Sequence, residues 1–216
     1  MLLNSERCPG LSGASPRLSG ALPRLSRGMM RADAKKNYDH ILAVARELLT
    51  GGGADASLRD IARKAGVGDG TLYRHFPTRE ALLEALLRNG FDALKERAHA
   101  LETSNEPDAA LVTWLREVVA MAHHYSGAIA AMVAAIADEG SALHASCVTM
   151  KAAGTRLLVR AQAEGVARSD MDGTDLFAMV GALAWIGDQP SLAPRADHLF
   201  DIISSAILTD KVRSPA

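Results

Sequence analysis

Residues 57–82 read SLRDIARKAGVGDGTLYRHFPTREAL and decide the fold. A helix is predicted to begin at Ser57, because Ser57 and Asp60 have the spacing of a capping box, in which the hydroxyl and the carboxylate each bind an amide at the helix start. The glycine-containing segment 66–68 ends that helix, and residues 69–76 form a second short helix. Such a helix-turn-helix occurs in DNA-binding proteins and also in ordinary helical bundles.

Apolar residues at helical spacing continue on both sides of this stretch. Upstream, a stripe runs from Tyr38 to Leu49 and stops at the glycines 51–53. Downstream, Thr78 is predicted to cap a helix that reaches about Leu101. Further helices are predicted at about 108–124, 126–138, 141–164, 172–187 and 194–209. No stretch shows convincing strand alternation, so the predicted fold class is all-α.

The first 30 of the 216 residues differ from the rest. They are rich in Gly, Ser, Pro and Arg without helical or strand periodicity, which is typical of disorder. No apolar stretch of signal-peptide length occurs there. The segment is interpreted as a disordered extension that is an artefact of the chosen start codon, a basic arm contacting phosphates, or an inert tail.

The net charge of −1 hides an uneven distribution. Residues 1–80 carry +5 and residues 81–216 carry −6, while residues 31–80 alone carry +2. A basic end on an otherwise acidic chain points to a nucleic-acid partner. The remaining composition indicates a globular protein with no membrane-spanning run. Its two cysteines, Cys8 and Cys147, exclude a disulfide framework and favour a cytoplasmic location.

The stretch 57–82 closely resembles the TetR family of transcriptional regulators. The resemblance rests on the Gly-Val turn at 66–67, on Thr-Leu-Tyr-Arg-His-Phe at 71–76 and on Ser-Leu-Arg-Asp-Ile-Ala at 57–62, and it covers about residues 35–85. It implies a helix-turn-helix DNA-binding domain at 31–80, behind the extension 1–30. It also implies a larger helical ligand-binding and dimerisation domain at 81–216.

The resemblance implies a ligand-responsive repressor that binds a palindromic operator as a homodimer and is released by a small molecule. A recognition helix lies in the major groove, where its N-terminal side chains reach base edges. The expected DNA-binding residues are Ser57, Arg59, Gly70, Thr71, Tyr73, Arg74, His75 and Arg79. Tyr73 has an alternative role, packing its ring on the first helix. Asp69 departs from the family pattern and is interpreted as the N-cap of the recognition helix.

The second domain is expected to hold a ligand pocket and the dimer interface. The pocket candidates are apolar or aromatic residues from its middle: Trp114, Val118, Met121, His124, Tyr125, Met132, Ile136, Cys147, Met150, Phe177 and Trp185. The dimer interface is expected on the last two helices, at Leu176, Met179, Val180, Leu183, Leu199, Ile202, Ile203 and Ala206. For each of these residues, packing in the core of one protomer is the alternative.

Two other functions compete with this interpretation. An all-α enzyme would have to use His123, His124 or the carboxylates at 170–175, but the sequence lacks a spaced nucleophile and base. A regulator that acts constitutively, without a ligand, has the same residues as a ligand-responsive one. Neighbouring positions on a helix point about 100° apart, so His123 and His124 are not expected to share a metal ion. No catalytic residue, metal site or cofactor is predicted.

Overall fold

A computed structural model describes residues 23–50 and 56–209, with side chains for 32–49 and 56–209. Two compact units divide the chain between Asn37 and Tyr38. The α-helices of the described residues are α1 (Pro23–Thr50), α2 (Leu58–Lys64), α3 (Asp69–His75), α4 (Arg79–Leu101), α5 (Pro107–His124), α6 (Ser126–Ala131), α7 (Val133–Ala137), α8 (Ala142–Ala163), α9 (Gly173–Asp188) and α10 (Ala196–Ile207). A 3-10 turn at Ala193–Arg195 precedes α10.

The all-α prediction is confirmed for the described residues, in which one isolated bridge between Ala167 and Leu208 is the sole extended pairing. Two details differ from the prediction. Helix α1 begins at Pro23, so the expected disordered extension is wrong for residues 23–30, while residues 1–22 lie outside the described residues. The helix expected at 126–138 is broken at Met132, whose ψ of 10° leaves the helical range. The domain boundary predicted at residue 80 falls at the start of α4 and stays a prediction.

Helices α1 to α3 share one small apolar core. The predicted α1 stripe contributes Ile41, Leu42 and Ala45, each at most 2% exposed. They belong to one apolar cluster with Leu72 and Phe76 of α3. Burying a side chain of this size stabilises a fold by about 1.5–3 kcal/mol, so a short helix such as α3 is held by packing and not by its own propensity.

The remaining helices pack around α4, which lies along both α5 and α8, while α9 packs on α5 and α10 on α9. Trp114 of α5 is fully buried, and its indole N–H donates to the carbonyl oxygen of Leu94 at 2.9 Å. A Cβ atom at Gly154 would come within 2.2 Å of the indole ring. The ring therefore fills its site completely, and a glycine at 154 is what admits it.

Each helix in the described part of the chain is too short or too polar to cross a membrane.

Candidate DNA-binding surface

The start of α2 is stabilised by the capping box that the sequence predicts. The Ser57 hydroxyl donates to Asp60 at 2.7 Å and accepts from the Asp60 amide at 3.2 Å, while the Ser57 amide donates to the same carboxylate at 3.2 Å. These hydrogen bonds to Ser57 hold the pKa of Asp60 below its usual value. The Ser57 hydroxyl is thus already engaged within the protein, in both its donor and its acceptor roles.

The turn between α2 and α3 is a Schellman motif. The Val67 amide donates to the Ala62 carbonyl at 3.0 Å, and the Gly66 amide donates to the Arg63 carbonyl at 3.2 Å. Gly66 has φ of +64°, which a residue with a side chain rarely adopts. A ring nitrogen of His40 on α1 also donates to the Ala65 carbonyl at 3.0 Å. The end of α2, and with it the direction of α3, is therefore fixed by backbone contacts.

Helix α3 divides cleanly into an inner and an outer face. Leu72 and Phe76 are buried at 0% and 2% exposure, whereas Tyr73 is 41% exposed and Arg74 is also exposed. Thr71 and His75 lie between the two faces and are half-buried. The outward face of this helix therefore presents a phenol, a guanidinium and a hydroxyl.

The alternative role of Tyr73, packing on α1, is wrong at this exposure. Tyr38 of α1 takes that place: its ring stacks on Phe76 with centroids 4.9 Å apart and meets the His75 ring edge-on at 6.0 Å. His75 is thus anchored by an aromatic contact at the border of the exposed face. Sequence reasoning missed this function of Tyr38, although its position at the head of the α1 apolar stripe indicated it.

Asp69 is not the N-cap of α3. The cap position belongs to Gly68, which has no side chain to bond, and Asp69 is the first residue of the helix itself. Its carboxylate lies 3.9 Å from Nε of Arg59 on α2, with both side chains more than half exposed. The negative charge suits the positive end of the helix dipole and places an acidic group beside one of the expected DNA contacts.

Gly70 follows Asp69 on the exposed side of α3. A Cβ atom placed there would meet no other atom of the protein within 4 Å, and its φ is not in the left-handed region. Neither internal packing nor backbone geometry therefore requires a glycine. In a helix, glycine costs up to about 1 kcal/mol relative to alanine, so an external reason for its presence is needed.

The remaining basic side chains of this region are engaged with the protein. Arg79, at the start of α4, donates from its guanidinium to the Ala56 carbonyl at 2.5 Å, next to the cap of α2. Arg63 pairs with Asp60 at 2.6 Å, and Lys64 pairs with Glu47 of α1 at 3.5 Å. Arg79 thus ties α4 to the loop before α2.

The residues expected to form a ligand pocket do not share one cavity. Six of them are buried in the cluster of apolar residues around α4, α5 and α8: Trp114, Val118, Tyr125, Met132, Cys147 and Met150. Met121, Ile136 and Phe177 are half-buried and His124 is exposed, with the Phe177 ring edge-on to Trp114 at 6.0 Å. The expectation of a buried Trp185 is wrong, because its side chain is 59% exposed on α9.

The expected dimer residues are also redistributed. Leu176, Val180 and Leu183 are buried within the protomer at 0%, 6% and 6% exposure, which contradicts an interface role. Three others, Met179, Leu199 and Ile203, are half-buried, and Ile202 and Ala206 are exposed. The exposed stripe of α9 runs instead along Ala178, Gly181, Ala182 and Trp185, at spacings of three and four residues.

The paired histidines serve different contacts. His123 of α5 lies 2.8 Å from the Asp188 carboxylate at the end of α9, whereas the His124 ring bonds the Ala120 carbonyl of its own helix at 2.5 Å. The described residues contain no group of three or more His, Cys, Asp or Glu side chains arranged to hold a metal ion.

Comparison with known proteins agrees with this geometry. Residues 41–86 match the model of bacterial regulatory proteins of the tetR family, and residues 106–207 match that of the C-terminal domain of SbtR-like transcriptional regulators. A TetR transcriptional regulator of Streptomyces coelicolor is 37% identical, with a TM-score of 0.64 over 79% of this chain and 98% of that one. A TetR protein of Mycobacterium vanbaalenii is 28% identical, with a TM-score of 0.62 over 83% and 99%.

Curated relatives match over shorter segments. The uncharacterized HTH-type transcriptional regulator TtgW of Pseudomonas putida is 38% identical over 92 residues, which are 42% of this chain and 63% of the relative. The HTH-type transcriptional regulator UidR of Escherichia coli is 30% identical over 114 residues, 51% of this chain and 55% of the relative. The chain thus spans less than two thirds of the length of these curated relatives.

Proposed function

The chain belongs to the TetR family of transcriptional regulators, and we propose that it is a repressor that binds a palindromic operator as a homodimer and is released by a small molecule. Members of this family are DNA-binding proteins and not enzymes, so the enzymatic alternative is set aside. The observation that carries the proposal is the division of α3, whose buried Leu72 and Phe76 present Tyr73 and Arg74 to the outside.

In the proposed complex α3 lies in the major groove. Arg74 has the length and the paired donors to reach a guanine edge, while Tyr73, Thr71 and His75 offer donors to phosphates or base edges. Gly70 leaves space for the backbone to approach the DNA, which supplies the external reason for a glycine there. With a balance of only +2 over residues 31–80, affinity depends on positioned contacts more than on bulk charge.

Three further expected contacts act with α3 in this proposal. Arg59 on α2 points its guanidinium near Asp69 through an exposed pair, and exposed pairs exchange easily for a phosphate. Ser57 contributes by capping α2 rather than by offering its own hydroxyl. Arg79 contributes by fixing the loop before α2 through the Ala56 carbonyl.

A dimer is proposed because a single α3 reads only one half-site. Two copies must hold their recognition helices about one helical turn of DNA apart, roughly 34–36 Å. We place the interface on the exposed faces of α9 and α10, where Ala178, Ala182 and Trp185 lie on one helix and Ile202 and Ala206 on the other. Small residues allow close helix approach, and an exposed tryptophan is typical of an interface anchor.

Release by a ligand follows from linkage. A molecule that binds better to a conformation with wrongly spaced recognition helices lowers the operator affinity by the same free energy, typically about 1–3 kcal/mol. The remaining alternative is a constitutive regulator, in which no ligand changes the DNA affinity. A chromosomal operator as the partner implies a cytoplasmic location.

The proposal is tested by fluorescence anisotropy with DNA from the region upstream of the chain's own coding sequence. Wild type is compared with Arg74→Ala and with the matched control Arg63→Ala, which removes the same charge from the exposed side of α2. We expect affinity to fall at least about tenfold for Arg74→Ala, one good base contact being worth about 1–3 kcal/mol, and little for Arg63→Ala. Equal losses in both variants, or no sequence-selective binding, would contradict the proposal.

A further inference from the structure

A cleft of about 410 Å³ opens where α1, α4 and α5 meet. Its walls combine small or apolar residues with cationic ones. The apolar part comes from α4 and α5, at Ala93, Leu94 and Met121. The cationic part comes from Arg46 of α1 and Arg97 of α4. This cleft lies apart from the buried residues around Trp114, where the sequence predicted the pocket.

The two arginines face one acidic side chain within the cleft lining. Arg97 bonds the Glu117 carboxylate at 2.9 Å, with the two side chains 45% and 38% exposed. An ion pair this exposed is weak and exchanges its partner readily. The lining therefore carries an excess of one positive charge, with His124 counted as neutral.

Tyr125 forms the inner end of the cleft. It is 7% exposed, and its phenol is hydrogen bonded to Arg46. Burial raises the pKa of Tyr125, so its hydroxyl stays protonated at neutral pH and adds no negative charge to the cleft. The phenol holds one face of the guanidinium, and the planar fork of an arginine has further donors for a bidentate acceptor.

We propose that this cleft binds an amphipathic organic anion, a carboxylate or sulfonate on an apolar body, with its charged group on Arg46 and Arg97 and its body against Leu94 and Met121. A planar acceptor suits the guanidinium fork, and the apolar wall suits a hydrocarbon body. This inference rests on the proposed function only where it treats the anion as the releasing effector, because binding itself needs no DNA.

The position of the cleft provides a route to the DNA-binding surface. Tyr125 and His124 also line a neighbouring cleft of about 270 Å³, which includes Arg79. Arg79 bonds the Ala56 carbonyl beside the cap of α2, and Arg46 lies on α1 between the buried residues Ala45 and Leu42 on one side and Leu49 on the other. An anion that draws Arg46 away from Tyr125 therefore acts on the helix that packs against α3.

The binding test uses 8-anilinonaphthalene-1-sulfonate, a fluorescent aromatic sulfonate, on the full chain without DNA. We expect saturable binding that octanoate displaces and the neutral 1-octanol does not. Arg46→Gln and Arg97→Gln should each weaken dye and octanoate binding by about tenfold, as for the loss of one charge-assisted hydrogen bond. The matched control is Arg88→Gln, which removes a charge from an exposed Glu84 pair on α4 outside the cleft.

Circular dichroism and thermal unfolding establish that the variants fold, and Arg97→Gln, at an exposed position, serves if Arg46→Gln is unstable. Equal binding by all three variants, or displacement by 1-octanol as effective as by octanoate, would overturn the site. A separate anisotropy measurement then adds octanoate to the DNA complex: a lower affinity in wild type but not in Arg97→Gln supports the effector role. An unchanged DNA affinity at saturating octanoate would overturn that role, whereas an absence of any DNA binding counts against the proposed function alone.

Discussion

The DNA-binding surface and the helical body reveal their functional residues in different ways. In α3, seven residues long, only one face has apolar side chains large enough to be buried, so Leu72 points inward and Tyr73 and Arg74 point outward. In α9 the apolar residues surround the whole helix, and Leu176 and Trp185 differ in burial although both are large and apolar. A helix with one apolar face declares its orientation in its sequence, and a helix with apolar residues all round does not.

The largest expected effect tests the buried side of the body. Trp114→Ala should lower the free energy of unfolding by about 4 kcal/mol, because it leaves a cavity beside Gly154 and removes the bond to Leu94. Urea titration followed by circular dichroism measures this change. A loss below about 1 kcal/mol would mean that Trp114 lines an open ligand pocket, as the sequence had suggested, and would weaken the contrast between a filled core and a peripheral cleft.

The next effect tests the exposed side of α9. Trp185→Ala should weaken the dimer at least about tenfold, since exposed tryptophans at interfaces are commonly worth 2 kcal/mol or more, and should leave the helicity of the protomer unchanged. Analytical ultracentrifugation measures the dissociation constant. The matched control is Val133→Ala, at an apolar side chain of α7 that is 57% exposed; an equal loss there would remove the assignment of the interface to α9.

A smaller effect, with two opposite signs, tests the DNA-binding surface. Gly70→Ala should raise the free energy of unfolding by about 0.5 kcal/mol, because alanine is the better helix former and its Cβ meets nothing inside the protein. The same change should lower DNA affinity by about tenfold, the equivalent of one lost contact. Thermal unfolding and anisotropy are measured on one preparation. A variant that is more stable and binds DNA as well as wild type would show that α3 does not approach DNA at Gly70.

The smallest effect concerns the cap of α2 and its pH dependence. The Ser57 hydrogen bonds hold the pKa of Asp60 below its ordinary value of 3.8 in the folded chain, so its carboxylate stabilises the fold above that pH. This contribution is lost as the pH falls through the lowered folded pKa. The difference in thermal midpoint between wild type and Asp60→Asn should therefore shrink on going from neutral pH to below 3.8.

The control for this titration is Ser57→Ala, which removes the hydroxyl that lowers the pKa of Asp60. It should itself cost about 1 kcal/mol as the loss of an N-cap. A difference between wild type and Asp60→Asn that stays constant with pH would show that the capping box does not form in solution.

Local rules account for most of what could be predicted from the sequence. The box at Ser57, the turn at Gly66 and the helix order follow from contacts within a few residues of each other, and the structure has them. The errors concern long-range packing. Neither the exposure of Trp185 nor the pairing of Asp69 with Arg59 follows from spacing along one helix, because each depends on which neighbouring helix lies alongside. The cleft at Arg46 likewise combines residues from three helices.

Guanine methylation interference on the bound operator tests the central claim most directly. Methylation at N7 blocks the major-groove edge that a recognition helix reads. If α3 of each protomer enters the major groove, methylated guanines should abolish binding at two symmetric clusters about one helical turn, or about 10 base pairs, apart. Tight, sequence-selective binding without interference at N7, or with a single unpaired cluster, would contradict a dimer that reads DNA through the exposed face of α3.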